Sequence, residues 1–330
     1  MSHFHITTLI YALAYQVATR HDHGMNTLSS AAKPSQPPAS RDARLPLMAA
    51  GAVVITILSW AAAFPFIRIG LQGLSPLQLA AARFATAAWL VIAWLAWKRP
   101  RLPAWRDALR FMLCGFLGIA LYNALLNTGE KTVAAGAASF IVNTLPIFTA
   151  VLAVVFLGER FNRWGWLGSL VSLAGIAVIA RGQPGGLTLG AGSTLILGAA
   201  LCSASYFVLQ RRLIPVYGAL TCTAYTLLAG ALLLTPWLPG ALGSLAGAPR
   251  GTLPAVLVLG VFPAALGYAT WTFALGYFGA ARAANFLYLT PIAATALSAW
   301  LTGERPGIAM LCGDLLAIAG VAFVALRGRQ

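Results

Sequence analysis

From Leu47 onward, apolar runs follow one another along the chain, separated by short junctions rich in Gly, Pro and basic residues. A bilayer crossing takes about 20 apolar residues, and on that measure ten spans fall at about 47–69, 76–97, 107–127, 132–157, 163–181, 188–210, 218–238, 253–276, 281–302 and 307–326. The runs are continuous and lack the alternation of a barrel strand, so helices are the predicted spanning form. An all-α membrane protein is expected.

The pattern is written twice. Pro146, Gly158-Glu159-Arg160, Gly168 and Gly175 recur as Pro291, Gly303-Glu304-Arg305, Gly313 and Gly320, each 145 residues further on. Ala and Leu matches at this spacing carry little weight in so apolar a chain, but a proline, a charged tripeptide and two glycines in ungapped register mark an internal duplication. Residues 46–181 form the first repeat and residues 188–326 the second. Five spans per repeat is an odd number, so the second copy enters from the opposite side. The predicted architecture is ten transmembrane helices as two inverted five-helix repeats.

Composition agrees with a bilayer and narrows the function. Hydrophobic residues make up 59% and charged residues 9%, where a water-soluble domain carries roughly a quarter charged. The net charge of +15 comes from 22 Lys and Arg scattered between the apolar runs. That distribution reads as topology signals and lipid-headgroup contacts, with no nucleic-acid partner. Arg41, Arg44, Lys98, Arg99, Arg101, Arg106, Arg160, Arg163, Arg211, Arg212, Arg282, Arg327 and Arg329 fall on one side, against Lys131, Arg181, Arg250 and Arg305 on the other. Both termini are therefore expected in the cytoplasm, the chain being multi-pass.

Residues 1–45, with a Ser/Pro/Ala-rich stretch at 29–40, read either as a disordered cytoplasmic tail or as sequence upstream of a true start at Met25. His3, His5, His21 and His23 lack the Cys or acidic residues that would complete a metal shell, and Cys114, Cys202, Cys222 and Cys312 include no close pair. No metal, cofactor or disulfide is expected. A phosphate-cradling Gly-x-x-x-x-Gly-Lys-Ser/Thr loop, a His-Glu-x-x-His and a Gly-x-Ser-x-Gly are all absent, and no histidine follows His23. An enzyme is not expected, nor is ATP-driven transport.

In an apolar bundle, polar and amphipathic aromatic residues at mid-span are the informative ones. Trp60, Tyr122, Asn123, Ser139, Asn143, Tyr206, Tyr268, Trp271, Asn285 and Tyr288 fall on corresponding spans of both halves, where repeat transporters build a midplane site. Pro146 and Pro291 break their helices and serve as a kink or a hinge. Arg83 and Asp314 are charges within spans, which makes function their default reading. The Gly-Glu-Arg tripeptides mark helix ends, free to pair with each other or with a neighbouring loop. Gly168, Ser172 and Gly175, and likewise Gly313, Ala317 and Gly320, lie on one helix face and suit close packing, with a homodimer contact as one use of that face.

Ten spans in two halves that each end Pro…Gly-Glu-Arg…Gly…Gly, with Arg83-Phe84 early in the second span and Ala134-Ala135-Gly136 before the fourth, resemble the EamA-type drug/metabolite transporters. The resemblance covers about residues 47 to 328. It implies export of amino acids or other small metabolites across the bacterial cytoplasmic (inner) membrane by alternating access, through a central cavity lined mainly by spans one to four and six to nine. Spans five and ten are then scaffold, and Trp60 takes the place of the family's first-span aromatic.

Overall fold

The computed structural model describes residues 44–133, 138, 141–181, 190–293 and 308–327, and all regular structure among them is helical. In chain order the helices are α1 (Arg44–Gly70), α2 (Pro76–Lys98), α3 (Trp105–Gly129), α4 (Leu145–Leu157), α5 (Arg163–Arg181), α6 (Ala191–Tyr217), α7 (Ala219–Ala246), α8 (Thr252–Phe278), α9 (Ala280–Asn285) and α10 (Ile308–Arg327). The 1–45 tail up to residue 43, Ser139 and the second Gly-Glu-Arg lie outside the described residues, as does the side chain of Asp314.

Among the described helices six, α1 from Leu45, α2, α3, α6, α7 and α8, are long and apolar enough to cross a membrane, where the sequence pattern led us to expect ten. Within the fourth expected span the described residues show a local break. Asn143 and Thr144 form a turn, and regular helix resumes only at Leu145, with Pro146 in the first turn where its missing N–H would have had no partner anyway. The break thus precedes the proline. Around the bundle, Trp89, Leu90, Ile92, Val155, Phe156, Leu170 and Leu315 are exposed apolar side chains, as a lipid-facing surface requires. Lys98 sits 4.2 Å from the Trp97 ring and Arg106 5.7 Å from that of Trp105, a cationic and aromatic rim at one end of α2 and α3.

Local chemistry sets the helix ends. Ser75 opens α2 with a capping box, its Oγ accepting from Gln78 N–H at 3.4 Å while Gln78 Oε1 accepts from Ser75 N–H at 2.9 Å. Gly158 closes α4 at φ 65°, a conformation that other residues adopt only with strain. Beside it, Glu159 reaches the other repeat: its Oε1 accepts from Ala280 N–H at 2.8 Å and its Oε2 from Ala281 N–H at 2.9 Å, capping the start of α9. The tripeptide read as a helix end is therefore also a clamp between the halves.

Packing runs mostly across the duplication. Helix α1 lies on α8 and, reciprocally, α6 lies on α3; α2 meets α7, α4 meets α9, and α5 meets α10. The last pair is the tightest. Gly168 faces Gly320 and Val324, Gly175 faces Gly313 and Ala317, and a Cβ on Gly175 would come 2.5 Å from Ala317 N. Ser172 Oγ donates to Ala317 O at 3.1 Å across 145 positions, the repeat spacing itself. The two small-residue faces thus cover one another within a single chain.

Candidate functional site

A cavity opens between the two halves, with about 760 Å³ of atom-free space, its open mouth included. The first half contributes Trp60, Ala63 and Ile67 from α1, Arg83 from α2, Tyr122 and Leu126 from α3, and Val142, Asn143, Leu145 and Pro146 at the entry to α4; the second contributes Ser203 and Phe207 from α6, Tyr268 from α8, and Leu287 and Thr290 beyond α9. Val142 and Leu287 are repeat partners, and so are Leu145 and Thr290. The turn ahead of each proline therefore faces the same space.

Both α3 and α8 widen into a π-helical segment, Phe116–Leu121 in one and Gly260–Gly267 in the other. Such segments loosen the backbone ladder and concentrate at functional sites. Here each offers a carbonyl to an aromatic of the opposite half: Tyr268 Oη donates to Gly118 O at 2.9 Å, and Trp60 Nε1 donates to Pro263 O at 3.1 Å. Gly118 and Pro263 are themselves repeat partners. Glycine is required at Gly118 because the Tyr206 ring lies where a Cβ would stand, and Gly267 has the same relation to Trp60. Neither sequence repeat nor span pattern had pointed to these segments, although Gly115 and Gly260 at the 145-residue spacing carry the signal.

An aromatic cluster backs the cavity. Trp60 meets Tyr268 edge-on at 5.7 Å and Trp271 at 5.5 Å; Phe84 meets Tyr268 at 6.1 Å, and Phe207 meets Trp271 at 4.6 Å. The wall is amphipathic, apolar rings on one side and Tyr122, Asn143, Ser203, Thr290 and Arg83 among them.

Of the residues singled out from sequence, Trp60, Arg83, Tyr122, Asn143, Pro146 and Tyr268 stand on the wall of this cavity. Of the others, Ser139 and the side chain of Asp314 lie outside the described residues, and the rest do not line it. Asn123 is fully buried and donates to Ile119 O at 2.7 Å, while Asn285 donates to Ala281 O at 2.7 Å and accepts from Ser169 Oγ at 2.7 Å, both acting as braces. Tyr206 and Trp271 belong to the aromatic backing, and Tyr288 is completely buried. Pro291 is helical and buried, one residue past Thr290. Phe207, Leu287 and Thr290 are wall residues not anticipated. For Leu287 and Thr290 the available signal was their spacing from Val142 and Leu145.

These features define a class: a multi-pass helical membrane protein made of two repeats, with a cavity where they meet. Comparison with known proteins gives the class a family. The model of the EamA-like transporter family matches twice, over residues 47–181 and 190–326. The uncharacterized transporter YdfC of Bacillus subtilis (strain 168) is 37% identical over 268 residues, covering 81% of this chain and 88% of its own. A probable terminal-alkyne amino-acid exporter of Streptantibioticus cattleyicolor is 35% identical over 83% of this chain and 92% of its own, and the uncharacterized inner membrane transporter YedA of Escherichia coli (strain K12) is 30% identical over 79% and 84%. A solved crystal structure shares the fold at a TM-score of 0.69 and 21% identity, covering 88% of this chain and 98% of that one. The chain belongs to the EamA-like transporter family, and its general role is that of a membrane transporter.

Proposed function

We propose that the chain is a secondary transporter that exports amino acids, or amphipathic solutes like them, across the bacterial cytoplasmic membrane by alternating access. In this reading ten spans form two inverted halves, both termini face the cytoplasm, and no cofactor or catalytic step is involved. The observation that carries it is the composition of the cavity wall: the turn ahead of the proline from each half, aromatic faces from both, and a few polar groups among them. A site built between two repeats is emptied to either side when the repeats rock against each other. The segments ahead of Pro146 and Pro291 are the hinges of that motion, and α5 with α10 is the scaffold about which it turns.

The printed name of the Streptantibioticus relative, an amino-acid exporter, supports this cargo class and direction. The basic rim at Lys98, Arg99, Arg101 and Arg106 supports that end of the bundle as cytoplasmic. The test is uptake of labelled amino acids, including a terminal-alkyne one, into proteoliposomes of the purified chain under an imposed pH gradient. Saturable uptake that falls about tenfold in Asn143→Ala, with the protein still monodisperse, is the expected result. Movement of nucleosides, sugars or organic cations with no movement of any amino acid overturns it.

A further inference from the structure

Arg83 stands about two turns into α2, is 4% exposed, and faces the cavity. It makes no hydrogen bond and no ion pair with any described residue, and its Nε is buried without a partner. Phe84 holds the guanidinium by its ring, 4.8 Å from the guanidinium carbon, and is itself fixed edge-on against Tyr268. The orientation of the charge is thus set by packing and leaves its donors unspent. Around it the polar groups on the wall, Tyr122, Asn143, Ser203, Tyr268 and Thr290, are all neutral.

An isolated guanidinium in an apolar-walled space is costly unless something pairs with it. The described acid within electrostatic reach is Glu130, one turn beyond Leu126 on the Tyr122–Leu126–Glu130 face of α3. Both of its carboxylate oxygens are buried without a hydrogen-bond partner, and it is not part of the cavity wall. Glu130 lies within electrostatic reach of Arg68 first and Arg83 second and bonds to neither, which leaves contact with Arg83 to the cargo. Resting on the transporter reading above, we propose that Arg83 is the anion-recognition residue of the cavity. It receives the carboxylate of the cargo through its fork of donors, while the apolar body of the cargo lies on Trp60 and Phe207. The wall offers the amino group of an amino acid only neutral acceptors. The carboxylate is then the essential group and the amino group the lesser one.

The experiment is competition in proteoliposomes of the full chain. Labelled leucine, phenylalanine and a terminal-alkyne amino acid are each challenged with the unlabelled acid, its amide, and the acid lacking the amino group. For the intact protein the amide is expected to compete at least about tenfold more weakly than the acid, since a site built for a charged hydrogen-bonding group rejects an analogue lacking it. The acid without the amino group is expected to lose less. In Arg83→Gln the preference of acid over amide collapses to within about threefold, and Arg83→Lys restores part of it. A merely structural arginine would lower both ligands together and leave their ratio intact. That result, or an amide that competes as well as its acid on the intact protein, overturns the assignment while leaving amino-acid transport standing. If Arg83→Gln does not fold, the acid-to-amide ratio of the intact protein decides alone. Failure of every carboxylate in the panel to move overturns both this assignment and the amino-acid reading.

Discussion

The seam between α5 and α10 and the cavity between the repeats are built from the same halves, but they treat polar atoms in opposite ways. In the seam, Ser172 Oγ donates to Ala317 O, Ser169 Oγ bonds to Gly165 O and to Asn285, and no buried side-chain oxygen or nitrogen among the described residues goes unpartnered. Around the cavity, Arg83 Nε and Thr290 Oγ1 on the wall, and Trp271 Nε1 and Tyr288 Oη behind it, are buried without partners. Unsatisfied buried groups cost stability. Groups left open in this way are ones that a ligand, or a second arrangement of the same helices, would complete.

Substitutions in the seam give the largest effects expected of this contrast. A Cβ on Gly320 would overlap Ser172 Oγ and come 2.5 Å from both Gly168 O and Ser172 N, atoms of backbone that have no room to move. Gly320→Leu is expected to cost about 3 kcal/mol or more and to abolish folded protein on size-exclusion chromatography. Gly51, also mid-helix but with nothing within 4 Å of an added Cβ, is the control. Gly51→Ala is expected to stay within about 0.5 kcal/mol of the parent in a thermal melt. Equal tolerance at both positions would mean that the seam is looser than its geometry.

Next in size is the clamp from Glu159 to α9. Two carboxylate oxygens serve two backbone N–H groups that would otherwise have no partner at the start of a helix. Glu159→Ala is expected to destabilise by about 2 kcal/mol, the scale of hydrogen bonds to a charged group, and Glu159→Gln by about half of that. Because the clamp joins the halves, hydrogen exchange at Ala280 and Ala281 should rise in Glu159→Ala ahead of any change at the α5–α10 seam. Uniform acceleration through both regions would deny that they are separate units.

How much of this was legible in the chain follows from what each region asks of its residues. The seam needs small side chains at spacings of three and four, and Gly168, Ser172 and Gly175 with their echoes Gly313, Ala317 and Gly320 display that need directly. The cavity asks for direction, which residue type alone does not carry. Asn123 and Asn285 are as polar as Asn143, yet the first turns back onto its own helix and the second ties α9 to α5, because in a bilayer a neighbouring carbonyl or hydroxyl is the readiest partner. Leu287 escaped for the converse reason: the wall is mostly apolar, and a leucine has nothing in its type to distinguish the cavity from the core. Glu159 shows a third limit. Its place at a helix end is written in the glycine before it, but its partners lie 121 and 122 positions away.

The smallest effects sharpen the comparison most, because they change sign between the regions. Ser172→Ala removes a hydroxyl whose bond to Ala317 O is made, and it is expected to cost about 0.6 kcal/mol, the average for such interhelical bonds. Thr290→Val removes a buried hydroxyl that has no partner and replaces it with a methyl of similar size, so no cavity or clash is created. Deleting an unsatisfied polar group returns its desolvation cost, and the variant is expected to be about as stable as the parent or up to about 1 kcal/mol more so. Transport should move the other way: Ser172→Ala keeps its apparent affinity for cargo, whereas Thr290→Val weakens it about threefold or more through a lost contact on the cavity wall. Thermal melts and initial uptake rates on the two variants side by side give both quantities. A Thr290→Val protein that is destabilised like Ser172→Ala and carries cargo unchanged would assign that hydroxyl to the scaffold.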